Sequence, residues 1–121
     1  MILVDTSVWI DHLHRADLRL VTLLADAEVC IHPMVVGELA LGSLRDRSTV
    51  LSLLDQLPSM AVATNAEVRH LIEAHALFGQ GLSLVDVHLL AGLKITPGTG
   101  LWTRDRRLHG AATDLGMPTR S

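Results

Sequence analysis

The chain of 121 residues is poor in several residue types, and each shortage removes a class of function. It has one cysteine, Cys30, which rules out an internal disulfide and any multi-cysteine zinc site. Cys30 lies in the apolar run Val29-Cys30-Ile31, so a buried, inert thiol is expected rather than a nucleophile. Aromatic residues make up 2% and tyrosine is absent, too little for a platform on which successive bases stack. Positive charge is in the minority, ten Lys and Arg against thirteen Asp and Glu, for a formal net charge of -3. That balance excludes a basic module that coats nucleic acid. The longest uncharged run, Ala74 to Val85, is twelve residues, short of the roughly 18 needed to span a bilayer. The start of the chain, Met1-Ile2-Leu3-Val4-Asp5, carries no basic cluster and no long apolar stretch. No signal peptide is expected, and the protein is expected to be soluble and cytoplasmic, with no membrane partner.

What the chain does have is apolar residues, 49% of the total, in short runs that alternate between strand and helix patterns. A single domain over residues 1–121 can bury a core of its own. Ile2–Val4 is expected to be a buried strand, followed by a helix capped by Thr6 or Ser7 and running to about His14. Leu18–Ala27 has helical apolar spacing, Glu28–Ile31 reads as a second strand, and Pro33 suits the first turn of a helix to about Leu44. A helix over Thr49–Leu57 ends at Pro58, and Met60–Ala63 is a third strand candidate. Asn65 is expected to cap a helix over Glu67–Phe78, stopped by Gly79 and Gly81. Ser83 starts a helix to about Leu93, Leu101–Thr103 is a strand, and Asp105 caps a helix over Arg106–Leu115. Met117–Arg120 is a short tail containing Pro118, and its pairing as a further strand is left open. The alternation predicts an α/β fold, a three-layer sandwich with a short, mainly parallel sheet of four or five strands flanked by helices.

In open parallel sheets, ligands bind at the carboxyl ends of strands, near the point where strand order reverses. Asp5 directly follows the first strand and Asp105 follows the last strand candidate by one residue. Asp86 lies in the first turn of the helix before that strand, and Glu38 one turn into the helix after the second. Taken singly, three of these have structural readings: Asp5 and Asp105 as caps, and Asp86 as the partner of Ser83 in a capping box. Glu38 is harder to dismiss. It is the sole charged residue between Glu28 and Arg45, and a carboxylate buried unpaired among Val35, Val36, Leu39 and Ala40 would cost several kcal/mol. It is therefore expected to find a cation or a hydrogen-bond partner, and no basic residue is near it in sequence. Four converging carboxylates repel one another unless a cation neutralises them, and hard divalent ions favour oxygen ligands. The four acids thus predict a site for one or two Mg²⁺ or Mn²⁺ ions, with a reaction that spacing alone does not name.

Asp5-Thr6-Ser7-Val8-Trp9-Ile10 resembles the opening motif of PIN-domain ribonucleases, specifically the VapC-type toxins of bacterial toxin–antitoxin pairs. Val35-Val36-Gly37-Glu38-Leu39 resembles their second acidic motif, Leu82–Ala91 around Asp86 the third, and Leu101-Trp102-Thr103-Arg104-Asp105 the fourth. The set runs in family order over nearly the whole chain. The resemblance implies that Asp5, Glu38, Asp86 and Asp105 are catalytic metal ligands, and that Thr103 holds a carboxylate or a metal-bound water. It also implies that Thr6 and Ser7 support Asp5. The implied activity is metal-dependent hydrolysis of RNA leaving a 3′-hydroxyl and a 5′-phosphate. The implied partners are a cognate VapB-type antitoxin that reaches the acidic pocket and a second copy of the chain.

Around this site, Arg104, Arg106 and Arg107 bracket Asp105 and are candidates to bind the RNA backbone, with a solvated, salt-bridged helix start as the alternative. The seven histidines lack ligand spacing: His12 and His14 are two apart, His70 and His75 five apart, and His88 follows Asp86 by two. Trp9 and Trp102 are expected to pack in the interior or at an interface. Two other function classes stay open. An aspartate-dependent phosphatase or phosphoacceptor also uses an Asp after the first strand, but a second Asp two residues on is replaced here by Ser7. A non-catalytic binding protein of the same fold would have no need of all four acids. The net charge also reads differently with the site in view. The four carboxylates contribute -4 of the total of -3, so the rest of the chain carries +1.

Overall fold

The computed structural model describes residues 1–120. Four strands, β1 (Ile2–Val4), β2 (Val29–Cys30), β3 (Gly100–Trp102) and β4 (Thr119–Arg120), form one sheet in the order β2-β1-β3-β4. Every neighbouring pair is parallel, with Leu3 opposite both Cys30 and Leu101, and Trp102 opposite Arg120. Helices α1 (Thr6–His14) and α2 (Leu18–Ala25) link β1 to β2, and α7 (Arg106–Asp114) links β3 to β4. The long crossover from β2 to β3 carries α3 (Pro33–Leu41), α4 (Arg47–Asp55), α5 (Asn65–Ala74) and α6 (Leu84–Lys94). The α/β sandwich predicted from the alternation is thus the observed fold.

Strand order reverses between β1 and β3, because the chain leaves β1 toward β2 on one side and returns to β3 on the other. The carboxyl ends of these two central strands are where a doubly wound sheet opens a crevice. The Asp5 backbone N–H donates to the Trp102 carbonyl at 2.9 Å, so the first residue beyond β1 is still held by the sheet.

The core is built on Leu3, Val4, Leu101 and Trp102 of the central strands, all essentially inaccessible, with Val8, Leu20, Val35, Val68, Leu71 and Leu108 from the helices. Helix α6 is buried from Val87 through Leu93, which explains its apolar sequence on every face. Gly92 lets it approach closely: a Cβ there would meet the Ala61 carbonyl at 3.1 Å.

That approach accounts for one correction. Met60–Ala63, expected as a third strand, forms no strand; its neighbourhood contributes an isolated parallel bridge, Ile31 with Ser59. Ile31 N–H donates to Pro58 O and Met60 N–H to Ile31 O, both at 2.8 Å, and the chain then leaves the sheet edge to run against α6. Met60 and Ala63 are buried by that helix packing, so their apolar character carries no strand signal. The open question at the tail is answered by β4, whose two residues pair with β3. Caps shift by one residue from expectation: Asp5, rather than Thr6 or Ser7, caps α1, and Thr64, rather than Asn65, caps α5 in a capping box with Glu67.

Candidate active site

Each predicted acid sits at an element boundary that fixes it. Asp5 ends β1 and caps α1, and it is 5% exposed. Its Oδ2 accepts from Ser7 Oγ at 2.7 Å, from Thr103 Oγ1 at 2.8 Å and from Ser7 N–H at 3.4 Å. The two hydroxyls are themselves held by the loop after β3. Arg104 N–H donates to Ser7 Oγ and Asp105 N–H donates to Thr103 Oγ1, both at 3.0 Å. Thr103, predicted as a supporting hydroxyl, is thus buried between Asp5 and Asp105 and ties one to the other.

Asp105 is exposed at the start of α7, where its Oδ1 accepts from Arg107 N–H at 2.9 Å and Leu108 N–H at 3.1 Å. Asp86 is half-buried in the first turn of α6. It completes a capping box, its Oδ2 accepting from Ser83 N–H at 2.9 Å while Asp86 N–H donates to Ser83 Oγ at 3.0 Å. Burial pushes the Asp86 carboxyl above the ordinary aspartate range; the Ser83 hydrogen bonds oppose this, and repulsion from Asp105 and Asp5 adds to it. Asp86 therefore lies within reach of the charges on both Asp105 and Asp5.

Glu38 departs from its expected setting. Val35 and Leu39 turn the buried face of α3 inward, whereas Glu38 is exposed, so no desolvation cost forces it to pair. The expected partner exists all the same: Thr6 Oγ1 donates to Glu38 Oε1 at 2.7 Å. Consecutive hydroxyls on the first turn of α1 thus serve two acids, Thr6 on Glu38 and Ser7 on Asp5.

Among the described residues, no three His, Cys, Asp or Glu side chains stand close enough to form a ready-made metal cage. Carboxylate oxygens left over from the protein's own hydrogen bonds are nevertheless plentiful. Asp5 and Asp86 are bonded only through Oδ2, Asp105 only through Oδ1 and Glu38 only through Oε1, among the described residues. Each acid is oriented by one oxygen and keeps the other. This donor set fits a hard divalent cation, which takes one or two carboxylates and completes its shell with water and phosphate.

The other candidates divide. Arg106 and Arg107 are exposed, and the Arg107 guanidinium lies across Gly81, whose left-handed backbone (φ 77°) and missing Cβ leave it room. Arg104 is different, because its guanidinium is paired with Asp11 and Asp17. Those two partners were invisible in sequence, lying 93 and 87 residues away. His88 is buried beside His32 in the interior, and His32 caps α3 by accepting Met34 N–H at its Nδ1. Cys30 is buried, and burial pushes its thiol pKa up, as an inert core cysteine requires. Trp9 and Trp102 are both interior.

The raised Asp86 carboxyl has a measurable consequence in the metal-free protein. A carboxyl whose pKa folding raises favours the native state only below the ordinary aspartate range, and that contribution is lost as pH climbs through the raised value. Asp86→Asn keeps an oxygen for Ser83 N–H and has no charge to ionise. In chelator at pH 7, thermal melting is expected to show the variant more stable than the wild type, with the difference closing below the ordinary aspartate range. A lower Tm for the variant at pH 7 contradicts this.

The chain as a whole is similar to known proteins. The family model of the PIN domain matches residues 2–113. The chain is 50% identical over 117 residues to a protein named Ribonuclease VapC32 from Mycobacterium tuberculosis, strain CDC 1551 / Oshkosh, covering 97% of this chain and 94% of that protein. The counterpart of the same name in strain ATCC 25618 / H37Rv matches to the same extent.

Proposed function

The chain belongs to the PIN-domain family, in its VapC branch, and from that premise we infer that it is a metal-dependent endoribonuclease toxin. The observation that carries this reading is the set of four carboxylates, Asp5, Glu38, Asp86 and Asp105, each anchored through one oxygen with the other left over. Asp5, Asp86 and Asp105, with Glu38 joined through Thr6, would hold Mg²⁺ or Mn²⁺. A bound ion of this kind lowers the pKa of water and offsets charge developing on a phosphodiester.

The chain's own contribution is orientation. Ser7 and Thr103 fix Asp5, Ser83 fixes Asp86, and the amides of Arg107 and Leu108 fix Asp105. These second groups keep ligand oxygens aimed before substrate arrives, which is where outer partners of a metal site act. Arg106 and Arg107, beside Asp105 on α7, supply cations for RNA phosphates. The product ends are a 3′-hydroxyl and a 5′-phosphate.

The partners follow from the same reading: RNA as substrate, a VapB-type antitoxin as inhibitor, and a second copy of the chain in a homodimer. A groove of about 610 Å³ opens beside Glu38, its apolar side formed by Ile10, Leu13, Leu44 and Val50 and its polar side by His14, Arg45 and Asp46, and it offers the antitoxin a mixed seat next to Glu38. We take residues 1–121 as one domain acting in the cytoplasm. Among the described residues, no helix is long and apolar enough to cross a membrane.

The test is incubation of the purified chain with end-labelled RNA in Mg²⁺, in Mn²⁺ and in chelator. Cleavage that requires the ion and leaves 5′-phosphorylated fragments is expected. RNA left intact under all three conditions would sink the assignment, and aspartyl phosphate formed on treatment with a phosphodonor would favour the phosphatase class instead.

A further inference from the structure

Arg104 lies between Thr103 and Asp105, a position that made it a candidate to face the substrate. Its guanidinium is engaged elsewhere. One terminal nitrogen, Nη1, pairs with Asp11 on α1, and the other, Nη2, with Asp17 Oδ2 at 2.7 Å. The Asp17 side chain is 14% exposed and also caps α2, accepting Arg19 N–H at 2.9 Å. A guanidinium shared between two carboxylates, one of them sheltered, is held far more firmly than in a single exposed pair.

The backbone of the same residue points the other way. Arg104 N–H donates to Ser7 Oγ, which donates to Asp5 Oδ2, the oxygen that Thr103 also holds. Arg104 therefore grips α1 twice, by its amide at the first turn and by its side chain at Asp11, and it grips the start of α2 as well. The segment so fastened is the β3–α7 loop, which carries Thr103 and Asp105. Asp5 belongs to the β1–α1 junction. The separation of these two junctions decides whether Asp5, Thr103 and Asp105 make one site.

We propose that Arg104 is a positioning residue, locking the β3–α7 loop to α1 and α2 through Asp11 and Asp17 so that Thr103 and Asp105 stay aligned with Asp5, rather than a receptor for RNA phosphate. The inference deepens the ribonuclease reading and rests on it. It leaves Arg106 and Arg107 as the cations for substrate.

The two roles predict opposite results. Full-length wild type, Arg104→Gln, Arg104→Lys and Asp17→Asn are compared for kcat and KM on a short labelled RNA in saturating Mn²⁺. Mn²⁺ affinity is measured by calorimetry without RNA, and RNA binding in chelator is followed against KCl concentration. As a positioning residue, Arg104→Gln lowers kcat and weakens Mn²⁺ binding by about tenfold or more, the range seen when partners of metal ligands are removed. KM and the salt dependence of RNA binding stay as in the wild type. Arg104→Lys falls between, since an ammonium cannot reproduce the two-pronged pairing. Asp17→Asn, which keeps an acceptor for the α2 cap, loses kcat in the same direction.

If Arg104 instead touched phosphate, KM would rise and the slope of log affinity against log salt would shrink by about 0.7 for a single-stranded RNA. Asp17, whose Oδ2 also pairs with Arg19 Nη2 at 3.4 Å, would then tighten RNA binding when changed to Asn, and that gain would vanish in the Asp17→Asn, Arg104→Gln double variant. Either result overturns the proposal, as does unchanged kcat and Mn²⁺ affinity in all three variants. If Arg104→Gln does not fold, judged by circular dichroism, Arg104→Lys and Asp17→Asn carry the same comparison. A wild type that cleaves no RNA defeats the ribonuclease reading, and the Mn²⁺ affinities still decide the role of Arg104.

Discussion

Asp5→Asn is expected to lower RNA cleavage by about a thousandfold and leave the fold intact. A divalent ion supplies several kcal/mol of charge stabilisation in such reactions, and each 1.4 kcal/mol or so is a factor of ten in rate. Asparagine keeps one oxygen for Ser7 and Thr103, so the hydroxyl pair that joins the β1 and β3 ends has the acceptor it needs. What changes is the other half of the group, where a carboxylate oxygen becomes an amide N–H₂. The charge that would attract the ion is gone. Cleavage of labelled RNA in Mg²⁺ or Mn²⁺, with circular dichroism as the control for folding, measures both halves of the expectation. Wild-type rates in a folded variant would contradict it.

The largest stability effect is expected at Trp102. It is the biggest of the fully buried side chains, 1% exposed in the middle of the sheet, with the Arg19 guanidinium 4.9 Å from its ring centroid on one side. Truncating a buried tryptophan to alanine removes its transfer energy and leaves a cavity, at a cost of about 3–5 kcal/mol. Against a total stability of about 5–15 kcal/mol, that places Trp102→Ala near the edge of folding. A fall in Tm of about 10–20 °C is expected for a domain of this size. Trp102→Phe, which keeps most of the apolar volume, should lose much less. A Trp102→Ala melt within about 3 °C of the wild type would contradict this account of the core.

The alternation of apolar runs and caps made the α/β layout legible, because strands buried on both faces and amphipathic helices write different periods into the chain. The acids at strand ends were legible for a related reason. Asp5, Asp86 and Asp105 interrupt apolar segments where a sheet exposes its carboxyl edge; Asp5 and Asp105 also cap helices, and Asp86 closes a capping box on Ser83. The capping alternative was therefore correct as well, since each residue gives one oxygen to backbone amides and retains the other. Met60–Ala63 misled because an apolar stretch buried against Gly92 of α6 looks the same in sequence as one buried in a sheet. Glu38 misled in degree: its apolar neighbours in sequence occupy other faces of α3, and only the helix's packing shows that the carboxylate faces out. Arg104 was unreadable, since no local pattern announces that a residue beside Asp105 will pair with two acids from the opposite end of the chain.

The hydrogen bond from Asp5 N–H to Trp102 O bears on how the site can be controlled. This amide belongs to the pairing of the two central strands, which are flanked on either side by β2 and β4. Amides held between central strands belong to the slowest-exchanging part of a domain, and the Asp5 amide is expected to resist exchange with solvent deuterium more than those of the exposed loops. The Asp5 end of the site therefore has no soft hinge at its base, whereas the β3–α7 loop is held by the pairs that Arg104 makes. The mouth of the site is where Asp105 and Glu38 meet the solvent, and there a bound partner can cover the acids without straining the sheet beneath them.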